Sequence, residues 1–108
     1  MSGIVTVYAT FGSVEEARRI GGACVEERLA ACVNVLGPIH SIYRWQGKVE
    51  EAAEAAALFK TTEAGAQALI QRIATLHSYD VPAAVVWPIV DALEAYSEWV
   101  KDESESRR

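Results

Sequence analysis

Four side chains in this sequence are of the kinds that bind soft metal ions: Cys24, Cys32, His40 and His77. Thiolates and imidazoles are the usual protein ligands of zinc and copper, so their presence in one short chain suggests a metal site. The spacings typical of zinc sites are missing, because the chain has no Cys-x-x-Cys, His-x-x-x-His or His-Glu-x-x-His motif. Any such site must therefore be assembled from residues that are distant in the sequence.

Acidic side chains suggest a second kind of site. Glu50, Glu51 and Glu54 follow a turn signal at Gln46-Gly47, and hard cations prefer carboxylate oxygens. Three carboxylates without a surrounding loop bind such ions weakly, so the pattern favours a solvated acidic surface. The net charge of −5 argues against a nucleic-acid partner, which requires a basic face to replace phosphate counterions.

Length and composition predict one domain over residues 1–108. The chain is 51% apolar and 23% charged, which is ordinary for a globular protein. No apolar run approaches the ~18 residues that a membrane span needs, and no signal-peptide pattern opens the sequence. We therefore expect a cytoplasmic protein that has no membrane partner and whose cysteines are thiols.

Hydrophobic periodicity divides the chain into alternating strands and helices. Ser13 and Glu16 form a capping-box pattern at the start of the first helix, whose apolar face includes Cys24. The polar residues 102–108 are expected to be frayed. The predicted elements are strands at 4–10, 31–36, 39–45 and 81–89, and helices over 14–28, from Thr62 and from Asp91.

The segment 48–61 is ambiguous. Its alanine, glutamate, leucine and lysine are strong helix formers, so propensity slightly favours a helix. A strand is the alternative, with Val49, Ala57 and Phe59 on one face and a hairpin turn at Gln46-Gly47 before it. If the segment is a strand, the element order is the split βαβ order of an α+β, ferredoxin-like sandwich.

Three stretches of the chain together resemble the CutA family of divalent-cation-tolerance proteins. They are "VEERLAACVNV", "SIYRWQGKVE" and "LHSYDVP" with the following "WPI", and the terminal "AYSEWV" resembles the closing helix of that family. The resemblance runs almost from end to end. It implies a ferredoxin-like fold with a long β-hairpin and a C-terminal helix, in which residues 48–61 form a strand.

The resemblance also implies a homotrimer related in architecture to the PII signalling proteins. A long hairpin in a chain of this size leaves bare sheet edges, which three copies would cover. Aromatic residues where subunits meet could line a cleft, but they are more often interface anchors than ligand contacts. The residues predicted for a ligand cleft or subunit interface are Tyr43, Trp45, Lys60, Tyr79 and Trp87.

Copper is the cation that the resemblance suggests. Some members of the family bind it through a cysteine at the end of the first strand and a pair of histidines before Pro-Tyr. This chain has Ala9, Leu76 and His77 at those positions and Ser78 in place of the proline. A glutamate that often follows Val-Pro is also replaced, by Ala83. The predicted metal residues are therefore His77 and Cys32.

Each of these candidates also has a purely structural interpretation. Alternation places Cys32 inside or at a layer boundary, where a buried thiol is inert, and Cys24 lies on the apolar helix face. His77 ends a helix whose dipole would stabilise its protonated ring, and His40 is expected to be exposed on the hairpin.

Neither a nucleophile elbow nor a glycine-rich phosphate loop is present, so no enzyme is predicted and no cofactor is required. Two functions follow. One is a trimer that senses or binds divalent cations. The other is a ligand-binding signalling or scaffold trimer in which metal is incidental.

Overall fold

The computed structural model describes residues 2–104. Of the residues 102–108 predicted to be frayed, 105–108 lie outside this range. The prediction is wrong for Asp102 and Glu103, which end the last helix, and for Ser104, which caps it and is buried. The elements, in chain order, are β1 (Ile4–Phe11), α1 (Val14–Glu26), β2 (Cys32–Trp45), β3 (Lys48–Thr62), α2 (Ala66–Leu76), β4 (Ala84–Pro88) and α3 (Glu94–Glu103).

The four strands form one antiparallel sheet in the order β2-β3-β1-β4. The helices α1 and α2 pack on one face, because α1 buries Ala17, Ile20 and Cys24 and α2 buries Leu69 and Ile73. This arrangement confirms the predicted ferredoxin-like α+β fold with a long hairpin and a C-terminal helix.

The segment 48–61 is a strand, so the helix favoured by its propensity is wrong and the strand implied by the family resemblance is confirmed. It pairs with β2 on one side and with β1 on the other. Ala55, Ala57 and Phe59 are buried. Pairing on two edges and burial of one face outweigh the small helix preference of alanine.

The hairpin turn lies where the sequence predicts it. Gln46 and Gly47 both have positive φ angles, +51° and +82°, as the favoured two-residue hairpin turn requires. A register shift between Leu36 and Ile39 marks the predicted interruption of β2 at Gly37-Pro38.

The larger differences from prediction at helix and strand ends involve α1, α2, β4 and α3. α1 ends at Glu26 because Arg28 adopts a left-handed conformation at φ 62°. α2 begins at Ala66, since the Thr62 side chain accepts a hydrogen bond from Gly65 N–H in the preceding turn. β4 is shorter than 81–89, and α3 begins at Glu94 because Asp91 bonds Ala92 N–H in the turn before it.

The main core lies between the sheet and the helices α1 and α2. Gly21 allows close contact there, because a Cβ atom at this position would lie 3.0 Å from Val33 Cγ1. The strands contribute their alternate residues to this core, namely Val5, Val7, Ala9, Phe11, Ala55, Ala57 and Phe59.

The opposite face of the sheet is covered only in part. There α3 packs Val100 against Ile4 and Ala31 at one end. Farther along, large apolar side chains are half exposed: Leu36 at 47%, Val85 at 47% and Trp87 at 48%. We call these three residues and the neighbouring Tyr8 the open sheet face. Within residues 2–104, none of the helices is long and apolar enough to span a membrane.

Candidate functional site

His77 is buried just after the C-terminus of α2. Its Nε2 lies 2.8 Å from the carbonyl oxygen of Thr10, and its Nδ1 lies 3.1 Å from the backbone nitrogen of Tyr79. A carbonyl can only accept and a backbone N–H can only donate, so these partners assign the proton to Nε2. The ring also stacks on Phe11, with centroids 4.9 Å apart.

These contacts give His77 a positioning role. Both ring nitrogens are engaged by the backbone, so a metal ion could bind only by displacing one of them. The ring joins the end of β1 to the chain that leaves α2 and thereby fixes the path of Tyr79.

Glu16 completes a buried polar network with His77. One carboxylate oxygen accepts from Ser78 N–H at 2.8 Å and lies 3.8 Å from His77 Nδ1, and the other accepts from Gly12 N–H at 3.3 Å. The Ser13 side chain caps α1 by accepting from Glu16 N–H at 3.1 Å. The Ser13 half of the predicted capping box is therefore confirmed, whereas the Glu16 carboxylate reaches Gly12 and Ser78 rather than Ser13 N–H.

Burial alone would raise the pKa of Glu16. The hydrogen bonds from Ser78, the nearby His77 ring and the bond from Gly12 outweigh burial and hold the pKa below its ordinary value of 4.5. The folded protein therefore favours the ionised carboxylate, and this contribution to stability is lost as the pH falls from about 4.5 through the folded pKa.

We expect Glu16→Ala to lower the free energy of unfolding by about 2 kcal/mol at neutral pH, because it removes charge-assisted hydrogen bonds from the backbone N–H groups of Gly12 and Ser78. Glu15→Ala is the matched control, since Glu15 is exposed in the same helical turn. Urea denaturation at fixed protein concentration measures both variants. Below pH 4.5, the difference between the two should shrink; an unchanged difference would contradict this role of the carboxylate.

Cys32 lies on the other side of the sheet from the His77 network. It is half-buried, and its Sγ lies 3.5 Å from the Tyr96 hydroxyl oxygen on α3. Burial, followed by this thiol, raises the pKa of Tyr96 to about 12. In the strand register, Cys32 pairs with Lys60, and Lys60 pairs with Thr6 on β1. Thr6 is four residues, or roughly 13 Å along the strand, from Thr10, whose carbonyl group contacts His77. The structure therefore does not bring Cys32 and His77 together.

Neither Cys24 nor His40 forms a site with Cys32 or His77. Cys24 is fully buried, and burial, followed by Glu27, raises the pKa of its thiol to about 11, so it is protonated at neutral pH. His40 is exposed as predicted, and its Nε2 lies 2.6 Å from a carboxylate oxygen of Glu51. Within residues 2–104, no three His, Cys, Asp or Glu side chains of one chain are grouped so as to hold a metal ion.

Three of the five predicted cleft residues, Tyr43, Trp45 and Tyr79, do come together. They line a cleft of about 550 Å³ between the hairpin and the segment that precedes β4. The Tyr79 hydroxyl donates to a carboxylate oxygen of Glu54 at 2.6 Å. Burial, followed by this carboxylate, raises the pKa of Tyr79 to about 12. We call this space the hairpin cleft.

The hairpin cleft exists because β1 is shorter than β3. Pairing between these strands ends at Phe11 and Ala55, so β3 continues from Glu54 back to Lys48 with only β2 beside it. The segment 79–83 passes this unpaired stretch. The sequence does not reveal the contact between Tyr79 and Glu54, because they are 25 residues apart and belong to no common motif.

The other two predicted residues, Lys60 and Trp87, belong to the open side of the sheet. Both face Thr6 on β1 in the strand register. Lys60 Nζ donates to the Asn34 side chain at 3.2 Å, and Trp87 stacks on Tyr8 with centroids 4.8 Å apart. Thr6 is four residues, or roughly 13 Å, along β1 from Thr10, which lines the hairpin cleft. The five predicted residues therefore divide between two separate parts of the sheet.

Comparison with known proteins agrees with this fold. The model of the family CutA1 divalent ion tolerance protein matches residues 5–103. Divalent-cation tolerance protein CutA of Thermus thermophilus is 46% identical over 96 residues, which cover 89% of this chain and 93% of that protein. Protein CutA 1, chloroplastic, of Oryza sativa is 39% identical over 98 residues, which cover 91% of this chain but 55% of the rice protein.

The structural comparison gives the same result. The crystal structure of CutA from Xylella fastidiosa superposes with a TM-score of 0.92 at 35% identity, covering 95% of this chain and 99% of the other. A family match over nearly the whole chain, supported by these identities, shows that the chain belongs to the CutA1 divalent ion tolerance family.

Proposed function

We propose that this protein is a cytoplasmic homotrimer that contributes to tolerance of divalent or heavy-metal cations, with copper as the first candidate. It acts by sensing or binding rather than by turnover. The observation that carries the proposal is the family match over residues 5–103, since relatives of this chain bear the name divalent-cation tolerance protein.

The open sheet face supports the homotrimer. Leu36, Val85 and Trp87 expose nearly half of their surfaces on one side of the sheet. Contiguous apolar surface on a small chain is typical of an interface between subunits. The strands β2 and β4 are the two edges of the sheet in residues 2–104, and pairing with further copies would protect them.

The placement of the metal candidates constrains how a cation would bind. His77 and Cys32 lie on different sides of the sheet and do not meet within one chain. A directly bound copper ion would therefore take ligands from more than one subunit, with the half-buried Cys32 thiol as the soft ligand that this chain could offer. Titration of the assembled protein with Cu(II), comparing wild type with Cys32→Ala, tests this arrangement.

Growth provides the test of the tolerance role. A bacterial strain that lacks its own CutA protein should regain resistance to Cu(II) when it expresses this chain. The same strain expressing an unrelated small trimer is the control. Equal growth of the two under copper stress would contradict the tolerance role.

A second function is favoured by the hairpin cleft. Its volume of about 550 Å³ is within the range of small-molecule sites, and its aromatic walls are unsuited to metal coordination. The alternative is therefore a ligand-binding signalling or scaffold trimer in which metal is incidental. Mass spectrometry of the purified protein should then detect a small organic molecule released on denaturation, and this signal should disappear in a Trp45→Leu variant.

A further inference from the structure

The walls of the hairpin cleft combine aromatic rings with unbalanced negative charge. In the single chain, Tyr43, Trp45 and Tyr79 expose between 38% and 46% of their surfaces, so their rings are open to a ligand there. Glu50 lies opposite Tyr43 in the strand register, and its side chain therefore projects on the same side of the hairpin.

Three acidic residues line the cleft, Glu50, Glu54 and Asp80, against one basic residue, Arg44. Arg44 alternates with Tyr43 and Trp45 along β2, which directs its side chain to the other side of the hairpin. Neither Glu50 nor Asp80 forms an ion pair with any group in residues 2–104.

Glu54 is held in place by a hydrogen bond to one of its oxygens. One of its oxygens accepts the hydroxyl hydrogen of Tyr79, and the second has no donor within the described part of the chain. A carboxylate fixed beside aromatic rings attracts a cation and repels an anion. Aromatic faces add to the attraction, because each well-placed contact between a cation and a ring contributes about 0.5–2 kcal/mol.

A bare or hydrated metal ion matches this cleft poorly. The described residues hold no group of three metal-binding side chains, and rings supply no coordinating atoms for a divalent ion. We infer that the hairpin cleft binds a small organic cation with a compact ammonium group, whose apolar substituents contact Tyr43 and Trp45 while its charge faces Glu50 and Glu54. This inference extends the ligand-binding alternative and does not rest on the tolerance role.

A matched pair of ligands tests the charge requirement. Choline and 3,3-dimethylbutan-1-ol have the same shape, but only choline is charged. Titration calorimetry and ligand-observed NMR on the assembled full-length protein should show choline binding at least ~10-fold more tightly. Equal binding of the two, or no binding of choline at millimolar concentration, would overturn the inference.

Variants test the location. Trp45→Leu should weaken choline binding about 10-fold, whereas Trp99→Leu, which changes an exposed tryptophan on α3, should leave it unchanged. Glu54→Gln keeps an acceptor for Tyr79 but removes the charge, and should weaken binding about 5-fold more than Glu63→Gln, a change at an exposed carboxylate outside the cleft. If the two tryptophan variants, or the two glutamate variants, changed choline affinity equally, the assignment of choline to the hairpin cleft would be overturned.

Competition separates this inference from the two proposed functions. Choline binding should be unaffected by Zn(II) at equal concentration; displacement by the metal would overturn the inference in favour of a divalent occupant. If the cleft instead binds a neutral or anionic compound, the organic-cation inference fails while ligand binding stands. The copper growth assay reports on the tolerance role independently of either result.

Discussion

His77→Ala is expected to lower the free energy of unfolding by about 3 kcal/mol while leaving Cu(II) uptake by the assembled protein unchanged. The substitution removes a ring that is 8% exposed and leaves Thr10 C=O and Tyr79 N–H without their partners. An unsatisfied buried polar group costs about 1–3 kcal/mol, and loss of the packing against Phe11 adds to this.

The control for this experiment is the other histidine of the chain. His40→Ala removes an exposed imidazole that pairs with an exposed Glu51, so it should change stability by no more than about 0.5 kcal/mol. Both variants are measured by urea denaturation at one protein concentration, because unfolding of an oligomer depends on concentration. Copper uptake is measured on the folded variants by calorimetry. A folded His77→Ala protein that binds Cu(II) more weakly than His40→Ala would show that the ring is a ligand after all.

The fold can largely be predicted from the sequence, because the apolar residues of most elements recur at the spacing of a helix or a strand. The capping pattern at Ser13 and the spacing of Ala17, Ile20 and Cys24 locate α1 within two residues. β3 was the exception. Its alanines carry little information about which face is buried, so local propensity pointed to a helix, and only the family resemblance gave the correct assignment.

The candidate site was less predictable, because its decisive contacts join residues that are far apart in the chain. Glu16 meets Ser78 across 62 positions, and His77 meets Thr10 across 67. Hydrophobic periodicity can predict that the His77 ring is buried, but it cannot show that backbone groups contact both ring nitrogens. Likewise, the sequence groups Lys60 and Trp87 with Tyr43 as candidates for one cleft or interface, whereas the strand register places both beside Thr6, four residues along β1 from Thr10 in the hairpin cleft.

Trp87→Glu is expected to convert the proposed trimer into monomers. Trp87 lies on the open sheet face, stacked on Tyr8 and still 48% exposed, so most of its remaining apolar surface would be covered by a neighbouring subunit. A carboxylate at this position would have to be buried without a partner on assembly, which costs several kcal/mol, and the variant would also lose the apolar contact. A penalty of about 3 kcal/mol weakens each contact between subunits roughly 150-fold.

Sedimentation equilibrium measures the outcome. The wild type should sediment at about three times the chain mass of 11.8 kDa, and Trp87→Glu at about one chain mass at micromolar concentration. Ala74→Glu provides the control, since it adds the same charge on the exposed side of α2, in the helical layer away from the open sheet face, and should leave the trimer intact. The monomeric variant should keep its secondary structure, because the core between the sheet and the helices does not include Trp87. A wild-type protein that sediments as a single chain would exclude the trimer, and a Trp87→Glu protein that stays trimeric would place the interface elsewhere.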